Sequence, residues 1–376
     1  MLLKTSNVLI FLIKFKKNMI RKNAKWFVYL IILAFAVPFL MNSFKGCNGD
    51  TEITPVAEKP LPKIDIPSFN ADSAYAFTEK IVGMSPRVVG TEGARKVKTY
   101  LIQQFKKYGA DVIEQPFTVK TFDGKTHAAI NIIARCNVQA TKRILLSAHW
   151  DSRPFADSPA ETDPAHRNKP ILGADDSGSA VAMLIEMTRQ LQAKPLSNIG
   201  VDIVLFDAED YGDTTKSTRR LTEAEGEAQE KTWALGSQYW GATPHVAGYT
   251  AAYGINLDMA GAQNARFTKE PTSQRYASGV LEKVWRVARF HGFGSYFVED
   301  PTSFTNGMID DHLYINQLAK IPTIDIFNNS LETRSFGKYW HTHNDNMSII
   351  DKSTLKAVGQ TVLSVLHYEE AKAFDY

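Results

Sequence analysis

Apolar and polar positions along the chain follow two alternating patterns, one typical of helices and one typical of buried strands. Apolar residues recur at helical spacing over 72–83, 93–108, 177–191, 273–290 and 352–372. They run almost without interruption over 131–136, 143–148, 201–206, 253–257 and 321–327. Because near-continuous apolar strands are typical of sheets covered on both faces, the pattern predicts a single α/β domain. We expect a central, mostly parallel, twisted sheet flanked by helices.

Residue types that bind metals follow several of the predicted strands. In chain order they are His149, Asp151, Glu209, Asp210 and Asp258. Two further segments of the same character, 173–178 and 340–346, adjoin predicted helices. Ligands of open α/β sheets bind beyond the carboxyl ends of the strands, and a catalytic zinc site takes about three His or carboxylate ligands. The combination predicts a zinc site at this edge, although each residue alone has a simpler explanation, such as a helix N-cap.

The charge of the chain is small but unevenly distributed. The 376 residues include 43 basic and 40 acidic ones, which gives a formal charge of +3. Eight of the basic residues and none of the acidic ones fall within the first 49 positions, so the remainder has a net charge of −5. A weakly acidic body lacks the basic surface that is typical of nucleic-acid-binding proteins, and we expect no nucleic-acid partner.

Residues 1–48 have the order of a signal or membrane-anchor segment. An apolar run at 26–41 follows the basic residues Arg21, Lys22 and Lys25. The positive-inside rule places the rest of the chain across the cytoplasmic membrane, so we expect a periplasmic, membrane-anchored protein. Cys47 leaves three outcomes open, namely a lipid anchor, cleavage, or an uncleaved transmembrane segment, and both Met1 and Met19 are candidate starts.

Residues 49–71 contain several prolines and lack periodicity, so they are predicted to be a tether. The remaining residues, 72–376, are predicted to form the catalytic domain. Cys136 is the one cysteine after Cys47, and the exported domain therefore forms no internal disulfide. Its stability must come from a hydrophobic core, which a chain of about 300 residues can supply.

Five segments together resemble the zinc aminopeptidase fold: 149–152, 173–180, 206–210, 256–259 and 340–346. Within that fold they are most similar to the glutaminyl cyclases of the animal type, a group also found in Bacteroidetes-like bacteria. The resemblance extends over about residues 72–370. It implies a zinc-dependent glutaminyl-peptide cyclotransferase, an acyltransferase that converts the N-terminal glutamine of peptides and proteins to pyroglutamate and releases ammonia.

The resemblance also implies roles for individual residues. One zinc ion is expected, bound by Asp176, Asp210 and His341, and Glu209 matches the general acid and base of the family. His149 is then expected near the metal without being a ligand. The second ligand is Asp210 where the animal enzymes have Glu, and the disulfide of the animal enzymes is absent. Neither departure removes a type of zinc ligand.

Three more residues match the substrate pocket of the family. Asp258 and Asp311 resemble carboxylates of the hydrogen-bond network around the reacting amine. Trp340, directly before the ligand His341, resembles the aromatic wall of the pocket. Trp233 is expected to add to that wall from the charged stretch 211–232, which we predict to be a surface insertion beside the site.

Two other functions remain open within this fold. Di-zinc aminopeptidases use five ligand positions, which this chain fills with His149, Asp176, Asp210, Asp258 and His341. The ligands alone therefore do not discriminate, and two zinc ions are expected in that case. Segments 310–312 and 340–346 resemble cyclase pocket motifs more than peptidase motifs and favour the cyclase. Receptor ectodomains of this fold have lost the metal, and the intact ligands argue against that class.

Overall fold

The computed structural model describes residues 60–215, 221–299 and 307–374, which belong almost entirely to a unit that begins at Leu61. The predicted signal or anchor segment at 1–48 and the tether up to residue 59 lie outside the described residues. The end of the predicted tether packs on the domain, since Leu61 and Phe69 are buried in the main core cluster. Within the described ranges, no helix is long and apolar enough to cross a membrane.

Six strands form one sheet in the order β1-β2-β4-β3-β5-β6. They are β1 (Asp111–Lys120), β2 (Thr126–Cys136), β3 (Lys142–His149), β4 (Ile199–Phe206), β5 (Tyr253–Leu257) and β6 (Thr323–Ile326). Strand β3 pairs in parallel with β4 and β5, and β5 pairs in parallel with β6. Strand β2 is antiparallel to both β1 and β4. The predicted α/β fold is confirmed, with a mixed sheet whose parallel half brings four carboxyl ends to one edge.

Strand β1 is the strand that the apolar pattern does not predict. It lies at the end of the sheet, where only Phe117 and Val119 of its ten residues are buried. Pro116 is tolerated there because a proline cannot donate to a central ladder but fits an edge strand. The matching half of β2 begins at Thr126, ahead of the predicted start at residue 131, because its first residues pair with this exposed edge.

Helices cover the sheet on both faces. Within the described residues the α-helices are α1 (Ala71–Met84), α2 (Glu92–Lys107), α3 (Ala180–Ala193), α4 (Glu223–Glu230), α5 (Leu235–Ala242), α6 (Pro271–Phe290), α7 (Asp311–Tyr314) and α8 (Lys352–Glu370). The side chains of Asn70 and Thr91 accept hydrogen bonds from backbone N–H groups in the first turns of α1 and α2, which explains where both begin. Helix α4, within the predicted surface insertion at 211–232, has no buried residue, whereas Tyr211 and Asp213 at the start of that stretch are buried.

The predicted helix at 177–191 begins with an irregular turn. Residues Ala174–Ser179 form a π-helical turn in which Asp176 and Ser177 have non-helical backbone angles, and α3 follows from Ala180. Such irregular turns occur frequently at functional sites because they change the direction of a side chain that a regular helix would fix.

The main hydrophobic core lies on one face of the sheet. Helices α1, α2, α3, α6 and α8 contribute to it, and α3 is buried along almost its whole length. Strand side chains that do not belong to the main core form a smaller cluster, in which Phe206 packs against Trp240 of α5. Because helices cover both faces, the loops at the carboxyl ends of the parallel strands are held by a rigid sheet.

Candidate active site

A cavity of about 270 Å³ lies at the carboxyl edge of the parallel strands. Residues that follow β4, β5 and the π turn line it together with residues of later loops. The lining consists of Asp176, Glu209, Asp210, Trp233, Asp258, Met259, residues 307–310, Phe336, Trp340 and His341. Seven of the eight site residues predicted from the sequence therefore meet at one cavity, and the eighth, Asp311, is buried beside it.

The three predicted metal ligands converge. Asp176, Asp210 and His341 each offer a ligand atom, and these atoms lie within 4.8 Å of one another. The Nε2 atom of His341 is 3.0 Å from Oδ1 of Asp210 and 3.9 Å from Oδ2 of Asp176. Oδ2 of Asp210 is buried and has no hydrogen-bond partner among the described residues. Two carboxylates and an imidazole are donor types that bind zinc, and an unpaired buried carboxylate oxygen needs a cation, so these residues fit the ion.

The electrostatics of these side chains agree with a cation site. Burial raises the pKa of Asp210 to about 6, and the like charge of Asp176 adds to the effect. Burial alone would lower the pKa of His341, but the carboxylate of Asp210 raises it above its ordinary value. A divalent cation would stabilise a buried group that contains more carboxylates than cations.

A second group capable of binding a metal adjoins the first. His149, Asp176 and Asp258 also have ligand atoms within 4.8 Å of one another. Nε2 of His149, the last residue of β3, is 2.9 Å from Oδ1 of Asp176 and 3.2 Å from Oδ1 of Asp258. Asp176 belongs to both groups, so all five positions of a two-metal site are in place and the geometry alone does not set the number of ions.

Two buried carboxylates hold the backbone of the ligand segments. Asp151 accepts hydrogen bonds from the N–H groups of Glu209 and Asp210, each at 3.1 Å. Asp345 accepts hydrogen bonds from the N–H groups of Asp175 and Asp176, at 2.8 and 3.2 Å. In both cases one side chain bridges two consecutive backbone groups, which fixes the direction in which the predicted ligand points.

His341 contacts a carboxylate that sequence reasoning missed. Oδ1 of Asp157 lies 3.0 Å from Nδ1 of His341, on the side of the ring that faces away from Asp210. Arg153 contacts Oδ2 of Asp157 at 2.5 Å. A carboxylate behind a metal-binding histidine fixes the tautomer and the ring orientation. An aspartate in a loop is too common a signal to have identified Asp157 beforehand. His341 also has a positive backbone φ of 54°, which is uncommon for a residue other than glycine.

Glu209, the predicted acid and base, lies in the cavity lining next to Asp210. Burial raises its pKa well above the ordinary range for a glutamate, and the carboxylates of Asp310 and Asp210 raise it further. A carboxyl group in such surroundings holds a proton more readily than an exposed one, as a general acid must.

Asp258 lies in the cavity lining as expected, but Asp310 rather than Asp311 is the second carboxylate from the later segment there. Oδ2 of Asp310 accepts a hydrogen bond of 3.1 Å from the amide of Asn256. Asp311 begins α7 and is fully buried. Sequence reasoning missed Asp310 because two adjacent aspartates are chemically identical, and only the backbone decides which one faces the cavity. The role of Asp311 stays a prediction.

Two tryptophans stack beside the ligand histidine. The ring centroid of Trp340 is 3.6 Å from that of His341, and the ring of Trp233 lies 6.1 Å away at an interplanar angle of 15°. Phe336, which sequence reasoning missed, stacks on Trp340 at 4.6 Å. Both predicted aromatic residues therefore line the cavity, and they make much of its wall apolar.

Residues 131–366 match peptidase family M28. This range covers more than half of the chain, and the protein therefore belongs to that family. The chain is similar to a solved structure of Tannerella forsythia glutaminyl cyclase. That protein is 45% identical, with a TM-score of 0.73 over 80% of this chain and 99% of its own.

Two further comparisons show the range of names among the relatives. A glutaminyl-peptide cyclotransferase of Drosophila melanogaster is 28% identical over 290 residues, which are 72% of this chain and 73% of the relative. A solved structure of a leucine aminopeptidase precursor from Bacteroides thetaiotaomicron is 41% identical, with a TM-score of 0.74 over 81% of this chain and 99% of its own. The resemblance to glutaminyl cyclases and the prediction of an enzyme are confirmed, and glutamine cyclisation has the broader support.

Proposed function

We propose that this protein is a zinc-dependent glutaminyl-peptide cyclotransferase that converts the N-terminal glutamine of peptides and proteins to pyroglutamate. The observation that carries the proposal is the common cavity. It brings a group fit to bind zinc, the carboxyl group of Glu209 and the rings of Trp233 and Trp340 around about 270 Å³. A small cavity with an aromatic wall and a cluster of carboxylates suits a folded glutaminyl residue with its amine and leaves little room for a large side chain.

The metal would be held by Asp176, Asp210 and His341. A bound zinc ion supplies Lewis-acid chemistry, since it polarises a carbonyl group and stabilises negative charge on the carbonyl oxygen. The role of the protein is to fix the ligands, and it does so through the Asp157 contact to His341 and the two carboxylates that bridge backbone N–H groups.

Glu209 moves the protons of the reaction. The α-amino nitrogen of the substrate forms a bond to the γ-carbonyl carbon, and the bond from that carbon to the amide nitrogen breaks, so that ammonia leaves. Glu209 accepts a proton from the attacking amine and later donates it to the leaving nitrogen. One carboxyl group performs both transfers because they occur in sequence, and such catalysis contributes typically about 10²–10⁴-fold.

The remaining residues hold the substrate in place. Asp258 and Asp310 present carboxylates to the cavity, where they can accept hydrogen bonds from the substrate amine. The nucleophile and the electrophile belong to one residue, so the enzyme mainly has to hold a folded side chain. The tryptophan rings cover that side chain and exclude water, which would otherwise hydrolyse the amide to glutamate.

A second candidate function is a di-zinc aminopeptidase. The observation that favours it is the group of His149, Asp176 and Asp258, which would hold a second ion next to the first. A peptidase needs an activated water, and two adjacent metal ions are one way to provide it. The number of ions at the cavity and the fate of the substrate separate the two functions.

The test compares a glutaminyl peptide with a leucyl amide on the zinc-loaded protein. The zinc at the cavity is counted by elemental analysis as the difference between the unchanged protein and Asp176→Ala, because Asp176 belongs to both groups there. Cyclisation of the first substrate with one zinc ion at the cavity is expected. Release of leucine with two ions there would contradict the proposal. Glu209→Gln should abolish cyclisation and keep the zinc at the cavity, whereas Asp210→Ala should lose the ion bound there. Glu227→Gln, on the exposed helix α4, is the matched control and should behave as the unchanged protein.

We also propose that the protein is exported and membrane-anchored through residues 1–48 and that it binds no nucleic acid. The basic residues followed by an apolar run support the first part, and the net charge of −5 after residue 49 supports the second. Cell fractionation of the full chain, followed by protease treatment of intact cells, tests the location. Recovery of the full-length protein in the cytoplasmic fraction would contradict it.

A further inference from the structure

Three side chains capable of binding a metal meet outside the active-site cavity. Glu161 and His166 lie in the long loop between β3 and the π turn, and His343 lies just after the ligand His341. The three offer ligand atoms within 4.8 Å of one another. None of the three lines the cavity that holds Glu209. We call Glu161, His166 and His343 the peripheral histidine site.

Glu161 holds the peripheral histidine site together. Its Oε2 atom accepts a hydrogen bond of 3.2 Å from the backbone N–H of His343 and lies 3.0 Å from Nδ1 of the same residue. The Glu161 side chain is only 10% exposed, while that of His343 is 30% exposed. The carboxylate is therefore fixed in direction, and one imidazole is already oriented towards it.

The second imidazole faces the first. The ring centroids of His166 and His343 are 4.8 Å apart, and the His166 side chain is 43% exposed. Nδ1 of His166 lies 3.5 Å from Oδ2 of Asp163, so a further carboxylate borders the site. Two imidazoles and a carboxylate, reachable from solvent, form the donor set of many zinc sites, in which water fills the remaining position.

We propose that Glu161, His166 and His343 bind a divalent transition-metal ion of the zinc class, at a site separate from the active cavity. Each of the three residue types is a common ligand for such ions, and hard cations such as Mg²⁺ and Ca²⁺ would prefer a site of oxygen atoms. The partly exposed side of the two rings gives the ion an entry path. The site does not depend on the proposed reaction.

The ion joins two segments that also shape the active site. The loop that contains Glu161 and His166 also contains Asp157, whose carboxylate contacts His341. The N–H of Ser158 donates a 3.3 Å hydrogen bond to the carbonyl of His341. A metal at the peripheral histidine site therefore fastens the loop at 157–166 to the segment at 341–346. We expect it to slow local opening of that loop.

Metal counting tests the site directly. The zinc-loaded protein is dialysed to equilibrium against buffered micromolar Zn²⁺, and the ions per chain are measured by elemental analysis. The unchanged protein should contain one more ion per chain than the His166→Ala variant and than the Glu161→Gln variant. Lys169→Ala is the matched control, because Lys169 is exposed in the same loop and lies outside the site. It should keep the full count.

A second measurement follows proteolysis of the loop. At Zn²⁺ about ten times the dissociation constant of the peripheral histidine site, cleavage in 158–170 should slow about tenfold in the unchanged protein and in Lys169→Ala. His166→Ala should show no slowing from the same addition. Equal ion counts in the unchanged protein and in both site variants, together with equal cleavage rates, would overturn the proposal.

The outcome is independent of the proposed function. If the protein fails to cyclise glutamine but His166→Ala still lowers the ion count by one, the peripheral histidine site stands and the cyclase proposal fails. If cyclisation occurs but the unchanged protein and the site variants contain equal numbers of ions, the cyclase proposal stands and the peripheral histidine site fails.

Discussion

Replacement of Arg87 tests whether a buried cation holds the metal-binding segments together. Arg87 is fully buried. Its Nε atom donates to the carbonyl of Trp150 at 2.7 Å, Nη1 donates to that of Leu172 at 2.7 Å, and Nη2 donates to that of Gly173 at 2.8 Å. These carbonyls belong to the segment that follows β3 and to the segment that leads into Asp176. The fork of the guanidinium thus joins two ligand-bearing loops.

The expected loss of stability follows from these bonds. Hydrogen bonds to charged groups contribute about 1.5–3 kcal/mol each, and three of them at the lower value give about 4–5 kcal/mol. Removing one partner from a buried charged arrangement costs about 3–5 kcal/mol by a separate comparison, and here the Asp345 carboxylate would lose a cation. We therefore expect Arg87→Ala to lower the free energy of unfolding by about 4 kcal/mol, a large part of the roughly 5–15 kcal/mol of a typical domain. Arg87→Lys should lose about half as much, since one ammonium group cannot reach all three carbonyls.

The assay is urea unfolding of the zinc-loaded protein, with linear extrapolation to water. Arg95→Ala is the matched control, because Arg95 is exposed and pairs with Glu92 at the surface. It should change the free energy by less than about 0.5 kcal/mol. If Arg87→Ala does not fold, Arg87→Lys supplies the measurement. A fall in the free energy of unfolding of less than about 1 kcal/mol in either Arg87 variant would refute the argument. It would mean that the hydrogen bonds from Arg87 to the three buried carbonyl groups contribute little to stability.

Three further predictions concern other contacts. Asp157→Asn should weaken zinc binding at the cavity by about 10–100-fold, since His341 loses the carboxylate that orients it; competition with a chelator measures this, and an unchanged affinity would remove Asp157 from the site. Gly212→Ala should raise KM for a glutaminyl peptide and leave the zinc content intact, because a Cβ atom there would lie 1.9 Å from the ring of Trp233. The control is Gly226→Ala, where nothing lies within 4 Å of the added Cβ atom. Equal KM values for the two variants would contradict the role of Trp233. Burial lowers the pKa of His245 to about 4, and its Nδ1 accepts a hydrogen bond from Nε1 of Trp240 at 3.1 Å. Between about pH 4 and pH 6.5 the folded state therefore binds fewer protons than the unfolded state. The contribution of this histidine to the free energy of unfolding, about 1–2 kcal/mol for a partly exposed ring, should be present above about pH 6.5 and lost as the pH falls towards 4. The free energy of unfolding of His245→Phe should fall less over that range than that of the unchanged protein, and an equal fall would count against the assignment.

The sequence predicted the elements that are buried on both faces and missed those that are not. Strands such as β4, in which all eight residues are buried, appear as continuous apolar runs. Strand β1 lies at the edge and exposes most of its residues, so its pattern is weak. The start of α3 was predicted within a regular helix because the local sequence carries no sign of the non-helical angles at Asp176 and Ser177.

The site could be predicted as far as it depends on strand ends. His149 ends a parallel strand and Asp210 and Asp258 follow two others, and the topology alone brings such positions together. The residues that orient the ligands could not be predicted, because they act from distant parts of the chain. Asp345, for example, accepts a hydrogen bond from the N–H of Asp176, which lies 169 positions earlier in the chain. Asp310 and Asp311 could be separated only by the direction of the backbone at the start of α7.

Asp176 belongs to both groups that can hold a metal at the cavity, and this sharing has a thermodynamic consequence. A first divalent ion would use part of the negative charge of Asp176 and would repel a second ion at the neighbouring group. The two dissociation constants would then differ, with a factor of ten for each 1.4 kcal/mol or so of repulsion. Filling would proceed in two steps as free zinc rises, so the concentration of free metal around the protein, and not the ligand set alone, would decide how many ions it carries.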